Sequence, residues 1–197
     1  VKAATMAQTR ENAVYLPGIR IPGNVVVGGA RPRAPWILSV APSRHLVSVL
    51  ARTKPESGQR VRVISATKGI AAESFRTMSE LITREWSDCL AGPVAALSGP
   101  TFAREVAAGL PAALVIACPD EAFARSVQAA FAVPPLRLYT NPDIRGVELS
   151  GALKNCIAIA AGAVEGLGVG SNSAAALVTR GLAEIARLVE ACGGRGT

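Results

Sequence analysis

One lysine stands inside a run of small and apolar residues in the second half of the chain. Lys154 follows Gly151-Ala152-Leu153 and precedes Asn155 and the apolar segment 156–162. The run is long and lacks the alternation of a strand, which predicts a helix. Burial disfavours the charged form of a lysine and lowers its pKa, which makes a lysine usable as a proton donor and acceptor near neutral pH. Proton transfer to a ligand is therefore the chemistry that this residue could do.

The neighbours of this lysine on the helix decide between two interpretations. Spacing alone favours a solvated lysine whose stem lies along an apolar face. Ser150, Gly151, Ala158 and Ala161 lie on the same side of the predicted helix as Lys154, and all four are small. Small neighbours leave room beside the lysine for a ligand or another backbone, and this shifts the balance towards a functional lysine.

Three loops follow predicted strands, where ligands gather in open α/β sheets. Lys68 follows one strand and precedes Gly69, which allows close backbone approach. Residues 98–103 (Ser-Gly-Pro-Thr-Phe-Ala) join a second strand to a helix start, where backbone N–H groups attract phosphate. Thr101 offers a hydroxyl there, although it would equally serve as a helix cap. His45, near a third strand end, could touch a cofactor, but a lone loop histidine is more often only exposed.

Strands alternate with helices over the first three quarters of the chain, which predicts an open α/β sheet with helices on its faces. The strands are expected at residues 36–40, 60–65, 94–97, 113–117 and 136–140, with a further short one at 25–27. The helices between them are expected at residues 45–52, with Ser43 as N-cap, then 74–86, 102–108 and 119–131. The Asn141-Pro142-Asp143 turn ends the alternation, and only helices are expected after it, at 144–167 and 172–192. We therefore expect two domains, a Rossmann-type sheet domain over residues 1–142 and the start of a helical domain over 143–197.

Composition restricts the class of protein. The 197 residues are 50% hydrophobic and 4% aromatic, which indicates an aliphatic core suited to helices on a parallel sheet. The net charge is +7, but the arginines are scattered, so we expect phosphate affinity rather than nucleic-acid binding. The longest apolar stretch, residues 155–164, is too short to span a bilayer, and no secretory signal is evident, so we expect a cytoplasmic protein without membrane insertion.

Two further patterns favour ordinary structural roles. The four cysteines are far apart and only one histidine is present, so no metal site is expected and the cysteines fit a reduced core. The glycine-rich segment 166–172 lacks the third glycine of a dinucleotide fingerprint and follows a helix instead of a strand. We expect it to be a corner between two helices that needs glycine conformations.

Taken together, these segments resemble the bacterial NAD(P)-dependent glycerol-3-phosphate dehydrogenase family. The resemblance is long and specific over residues 151–172, the lysine motif, and over 97–111. Shorter matches occur at residues 12–22, 66–69 and 179–184, in the family's order along nearly the whole chain. The resemblance implies reversible hydride transfer between NAD or NADP and a small-molecule phosphate, dihydroxyacetone phosphate, which gives sn-glycerol 3-phosphate for glycerophospholipid synthesis.

The resemblance also implies roles for individual residues. Lys154 matches the acid/base at the substrate oxygen. Lys68 matches a lysine near both substrate and cofactor, Gly99 and Thr101 match substrate-contacting positions, and Ala103 matches a cofactor-contacting position. Asn155 is expected to support Lys154. A homodimer is compatible with the resemblance.

The sequence departs from the family at both ends, and two alternatives stay open. The family begins with a strand, a Gly-x-Gly-x-x-Gly turn and a helix, and it ends with an aspartate and an Arg-Asn pair near the substrate; none of these is found here. We therefore expect an internal piece of such an enzyme, inactive alone, with Cys156 a harmless replacement. The alternatives are a related dehydrogenase of another hydroxy substrate, against which residues 98–103 argue, and a non-catalytic binding module.

Overall fold

A five-stranded sheet organises the first three quarters of the chain in the computed structural model, which describes residues 3–29 and 33–196. A short antiparallel pair, β1 (Glu11–Asn12) and β2 (Leu16–Arg20), precedes it after α1 (Ala3–Thr9). The main sheet has the spatial order β3-β4-β5-β6-β7. Its strands are β3 (Trp36–Ser39), β4 (Arg62–Ser65), β5 (Ala95–Ser98), β6 (Ala112–Ala117) and β7 (Leu136–Asn141). All five strands predicted for this sheet are present within two residues of their expected bounds.

The main sheet is mixed and not purely parallel. β3, β4 and β5 are parallel, and so are β6 and β7, but β6 runs antiparallel to β5. The connection between β5 and β6 contains only α4 (Ala103–Ala107), which has five residues and buries none of them. A parallel connection needs a crossover element that packs on the sheet face. Because α4 cannot serve as one, the chain turns back beside β5.

Helices cover the two faces of this sheet. They are α2 (Leu46–Thr53), α3 (Met78–Trp86) and α5 (Glu121–Phe131). Side chains that alternate along a strand point to opposite faces, so Val63 joins a core cluster with α2 and α3, whereas Ile64 joins a second cluster with α5. The sequence prediction of an open α/β sheet is confirmed.

Three details of the prediction were wrong. Residues 25–27 are irregular, since no described strand pairs with them and Val26 is 93% exposed. The helix expected at 74–86 begins only at Met78, because Thr77 and Glu80 form a capping box there, and Phe75 is exposed at φ 52°. Ser43 opens a 3₁₀ turn, Ser43–His45, that precedes α2, so His45 and not Ser43 occupies the N-cap position of α2.

Two long helices form the rest of the chain, α6 (Ile144–Gly166) and α7 (Ser171–Ala191). Asp143 caps α6 by accepting a hydrogen bond from the Gly146 backbone N–H at 2.9 Å. Between the helices the backbone turns at Gly168 (φ 66°) and Gly170 (φ 88°). The glycine-rich segment is thus the helix–helix corner that the sequence predicts, because only glycine adopts positive φ without strain.

The apolar helix α6 is longer than the apolar stretch 155–164 on which the membrane prediction was based. The helix is continuous over 23 residues, and within the described chain it is the one helix long and apolar enough to cross a membrane by length and composition, which by itself is a weak indication.

The cysteine prediction was half right, since Cys89 and Cys118 are buried while Cys156 and Cys192 are exposed.

Candidate active site at the carboxyl ends of the central strands

Two lysines that are distant in sequence meet at one backbone carbonyl. β5 ends at Ser98, and the next carbonyl oxygen, that of Gly99, accepts a hydrogen bond from Lys68 Nζ at 2.8 Å. Lys154 Nζ lies 3.4 Å from the same oxygen. Lys68 comes from the loop after β4, and Lys154 comes from α6. The fold therefore joins two candidate residues that the sequence places 86 positions apart (154 − 68).

Close packing of backbones explains the glycine at this position. A Cβ on Gly99 would overlap the Ala113 carbonyl oxygen and would lie 3.0 Å from Leu114 Cα, both on β6. These are backbone atoms of a paired strand, so they cannot rotate away. Packing between β5 and β6 therefore requires glycine at position 99, independently of any ligand.

A second glycine brings α6 against the end of β5. A Cβ on Gly151 would lie 2.8 Å from Ser98 Oγ, so the absence of a side chain lets helix and strand approach closely. Lys154 is three residues further along α6 and lies on a neighbouring part of the same helix face. Of the small residues around Lys154, Gly151 serves this approach, whereas Ala158 is exposed; Lys154 itself is half-buried.

The two ammonium groups make the site cationic. Burial lowers the pKa of Lys68 from its usual value of 10.5, and the neighbouring positive charge of Lys154 lowers it further. Within residues 3–29 and 33–196, neither ammonium group forms an ion pair. Lys68 remains largely exposed to solvent. Two unpaired cations that share one carbonyl are arranged to attract an anionic ligand.

Two cavities flank the Gly99 carbonyl. The first, of about 440 Å³, lies between α6, α7 and the sheet, and Gly99, Gly151 and Lys154 line it. The second, of about 470 Å³, lies at the ends of β3, β4 and β5 and is lined by Pro42, Ser43, Thr67, Lys68, Thr101 and Ala103. The site residues expected from sequence are therefore divided between two adjoining spaces.

Two of the candidates, Asn155 and His45, lie outside these cavities. Asn155 is exposed on α6 and lines neither space. His45 is exposed, and its Nε2 accepts a hydrogen bond from Arg44 Nε at 3.0 Å. Thr101 makes no capping bond, because Phe102 is the residue before α4. The capping interpretation of Thr101 was wrong, and Thr101 lines the second cavity instead.

Sequence analysis missed one buried charged residue near the site. Glu148 is 8% exposed and accepts hydrogen bonds from the Ser79 backbone N–H at 2.8 Å and from Ser79 Oγ. Burial raises its pKa from the usual 4.5. The signal was present in the sequence, since Glu148 is a lone acid between Val147 and Leu149, just as Lys154 is a lone base among apolar residues.

The fold and the site together define a class of protein: a Rossmann-type sheet followed by helices, with a cationic ligand site where the two parts meet. Residues 1–124 match the model of the NAD-dependent glycerol-3-phosphate dehydrogenase N-terminus, and residues 143–197 match that of the C-terminus. The chain belongs to the NAD-dependent glycerol-3-phosphate dehydrogenase family.

Individual relatives agree with the family match. The glycerol-3-phosphate dehydrogenase [NAD(P)+] of Koribacter versatilis is 46% identical over 195 residues, which are 97% of this chain and 58% of the relative. That of Moorella thermoacetica is 43% identical over 198 residues, again 58% of its length. The crystal structure of glycerol-3-phosphate dehydrogenase from Coxiella burnetii superposes with a TM-score of 0.87 at 36% identity, and covers 98% of this chain and 59% of that one. The chain therefore spans less than two thirds of the length of these relatives.

Proposed function

We propose that this chain carries the acid/base and much of the ligand-contacting surface of an enzyme that interconverts dihydroxyacetone phosphate and sn-glycerol 3-phosphate with NAD or NADP. The observation that carries the proposal is the convergence of Lys68 and Lys154 on the Gly99 carbonyl, between two cavities. Residues 1–142 would form the dinucleotide-binding part and residues 143–197 the helical part.

Lys154 is the proton donor in the direction of reduction. Its Nζ delivers a proton to the carbonyl oxygen of the substrate as that oxygen becomes a hydroxyl, and in the reverse direction it accepts the proton from the hydroxyl. The lysine is half-buried, so it can recover its proton from solvent after each turnover.

Lys68 and its neighbours hold the ligands around that proton transfer. The Lys68 ammonium stabilises negative charge that develops on the substrate oxygen and attracts the phosphate. Gly99 and Thr101 would contact the substrate. A second cationic group at the Gly99 carbonyl also disfavours a neutral, non-phosphorylated ligand relative to an anionic one.

The second cavity fits the nicotinamide half of a dinucleotide. It opens at the carboxyl ends of three parallel strands, where such sheets bind nucleotides, and it combines apolar Val40 and Leu97 with polar Thr67 and Thr101. When bound, the nicotinamide supplies or accepts the hydride. Lys68 and Ala103 would lie beside it, at the boundary with the substrate cavity.

The polar anchoring of α6 supports a cytoplasmic protein. Its buried Glu148 and its half-buried Lys154 both bond to the sheet domain, so the helix is built to pack on that domain.

The test is dihydroxyacetone-phosphate-dependent oxidation of NADH and NADPH by the product of the complete reading frame that contains this chain. Lys154→Met should abolish turnover, whereas Glu165→Gln, on an exposed position of the same helix, should leave it unchanged. Turnover with other hydroxy or keto substrates only would support the related-dehydrogenase alternative. A folded protein without turnover on any of them would overturn the proposal.

A further inference from the structure

Glu148 occupies the join between the helical part and the sheet part. It lies on α6, whereas Ser79 lies in the first turn of α3, 69 residues earlier. The carboxylate accepts from the Ser79 backbone N–H and from Ser79 Oγ, and the hydroxyl of Thr77 lies 3.2 Å from that Oγ. The first N–H groups of a helix lack partners within the helix, so Glu148 satisfies a donor that α3 itself leaves open.

Glu80 is the charged neighbour of this carboxylate, and it is itself paired with a cation. Glu80, also on α3, accepts from the Thr77 N–H at 3.0 Å and pairs with Arg145 of α6. Arg145 in turn donates to the Cys192 carbonyl at 3.0 Å. No cation is hydrogen-bonded to Glu148 in the described chain, so its buried carboxylate is held by the N–H and hydroxyl of Ser79.

Three contacts at equal spacing hold the same stretch of α6. Glu148 bonds to α3, Gly151 lies against Ser98, and Lys154 reaches the Gly99 carbonyl. A step of three residues advances about 4.5 Å along the helix axis and rotates about 300° around it, which is about 60° short of a full turn. The three contacts therefore occupy one sector of α6, and Glu148 is the one that fixes both its height and its rotation through two hydrogen bonds.

We propose that Glu148 is a positioning residue of the lysine site, which through α6 sets where Lys154 Nζ lies relative to the Gly99 carbonyl. The inference rests on the proposed function for its kinetic consequence, but its structural content concerns Lys154 alone. Lys154 is already at the long end of hydrogen-bond distance, 3.4 Å, so a small rotation or slide of α6 removes the contact.

Substitutions at position 148 separate shape from hydrogen bonding. Glutamine keeps a carbonyl oxygen for the Ser79 N–H and offers an amide N–H to Ser79 Oγ, so Glu148→Gln should keep α6 in place. Leucine has a similar volume but leaves the Ser79 N–H without its partner, so Glu148→Leu should release the helix. Ser79→Ala removes only the hydroxyl contact and provides a milder variant that is expected to fold.

The experiment measures kinetics and lysine reactivity on the complete gene product. Glu148→Leu should lower kcat about tenfold or more, as small misplacements of a reacting group do, and leave KM for the nucleotide unchanged. Glu148→Gln should remain within about twofold of the parent, and Ser79→Ala should lie between them. Competitive acetylation of Lys154 by acetic anhydride, read by mass spectrometry, should change in rate in the same order. Glu165→Gln, a matched change on an exposed position of α6, should change neither quantity.

Two outcomes separate the failure of this inference from failure of the proposed function. Parent-like kcat and parent-like Lys154 acetylation in folded Glu148→Leu and Ser79→Ala would overturn the positioning role. If Glu148→Leu does not fold, Ser79→Ala alone decides in the same way. If the parent has no turnover on dihydroxyacetone phosphate, the proposed function fails, yet altered Lys154 acetylation in these variants still supports the role of Glu148.

Discussion

Replacement of Gly99 by alanine is expected to separate β5 from β6. The added Cβ would lie 3.0 Å from Leu114 Cα and 3.3 Å from Ala113 C, and it would overlap the Ala113 carbonyl oxygen. Ordinary contacts of such atoms begin at 3.4 Å. Because all three atoms belong to the backbone of the paired strand, side-chain rotation cannot relieve the overlap.

The size of the effect follows from this geometry. At Leu114 alone the strands must separate by about 0.4 Å (3.4 − 3.0), and by more at the Ala113 oxygen. Overpacking of this kind typically costs about 1–3 kcal/mol of free energy of unfolding. The same movement displaces the carbonyl that Lys68 and Lys154 share, so turnover should fall together with stability.

Urea denaturation and steady-state kinetics of the complete gene product measure both effects. The matched control is Gly162→Ala, since no atom lies within 4 Å of a Cβ at that position and α6 gains a better helix former. It should raise the urea midpoint slightly and leave turnover unchanged. A Gly99→Ala protein with the parent's midpoint and turnover would refute the packing argument.

Three other predictions follow from the site. Lys154→Met should lower kcat about 10²-fold or more, with little change in the thermal midpoint because its hydrogen bond is long. Under the proposed function, KM for the phosphate substrate should rise with pH below 10.5, because burial lowers the pKa of Lys68, and Lys68→Arg, which stays charged, should flatten that rise. The raised pKa of Glu148 means that the folded protein holds a proton that the unfolded chain has lost above pH 4.5. The free energy of unfolding should therefore fall as pH rises through the interval above 4.5, and Glu148→Gln should remove that slope in chemical denaturation at several pH values.

Sequence patterns predicted most of the helices and strands and singled out both lysines as candidates, for a clear reason. Hydrophobic periodicity and the positions of Gly and Pro indicate local secondary structure. A single charged residue within an apolar segment indicates a partly buried side chain. Lys68 and residues 98–103 both follow predicted strands, and the rule that ligands gather at strand ends therefore selected both as candidates. The structure adds that Lys68 and Lys154 share one acceptor, which is a relation between distant segments that no local pattern contains.

Features that depend on tertiary partners were not predictable in the same way. The start of α3, by contrast, was readable in the sequence, because Thr77 and Glu80 form a local Thr-x-x-Glu capping box; the spacing of Phe75 wrongly extended the predicted helix by four residues. The antiparallel direction of β6 depends on α4, which is too short and too exposed to pack on the sheet as a crossover helix. Glu148 is recognisable as an unusual residue in sequence, yet its partner Ser79 lies 69 residues away on another helix.

The shared carbonyl has a consequence for the order of events at the site. Two ammonium groups on one oxygen repel each other, and the neighbouring charge is one cause of the lowered pKa of Lys68. An anionic phosphate between them would offset that penalty, because an opposite charge favours the protonated form of Lys68. Binding of the proposed substrate therefore raises the affinity of the site for protons, and by linkage protons raise the affinity for the substrate. Recognition of an anionic ligand and the charge state of Lys68 are therefore coupled, because both depend on the same pair of side chains.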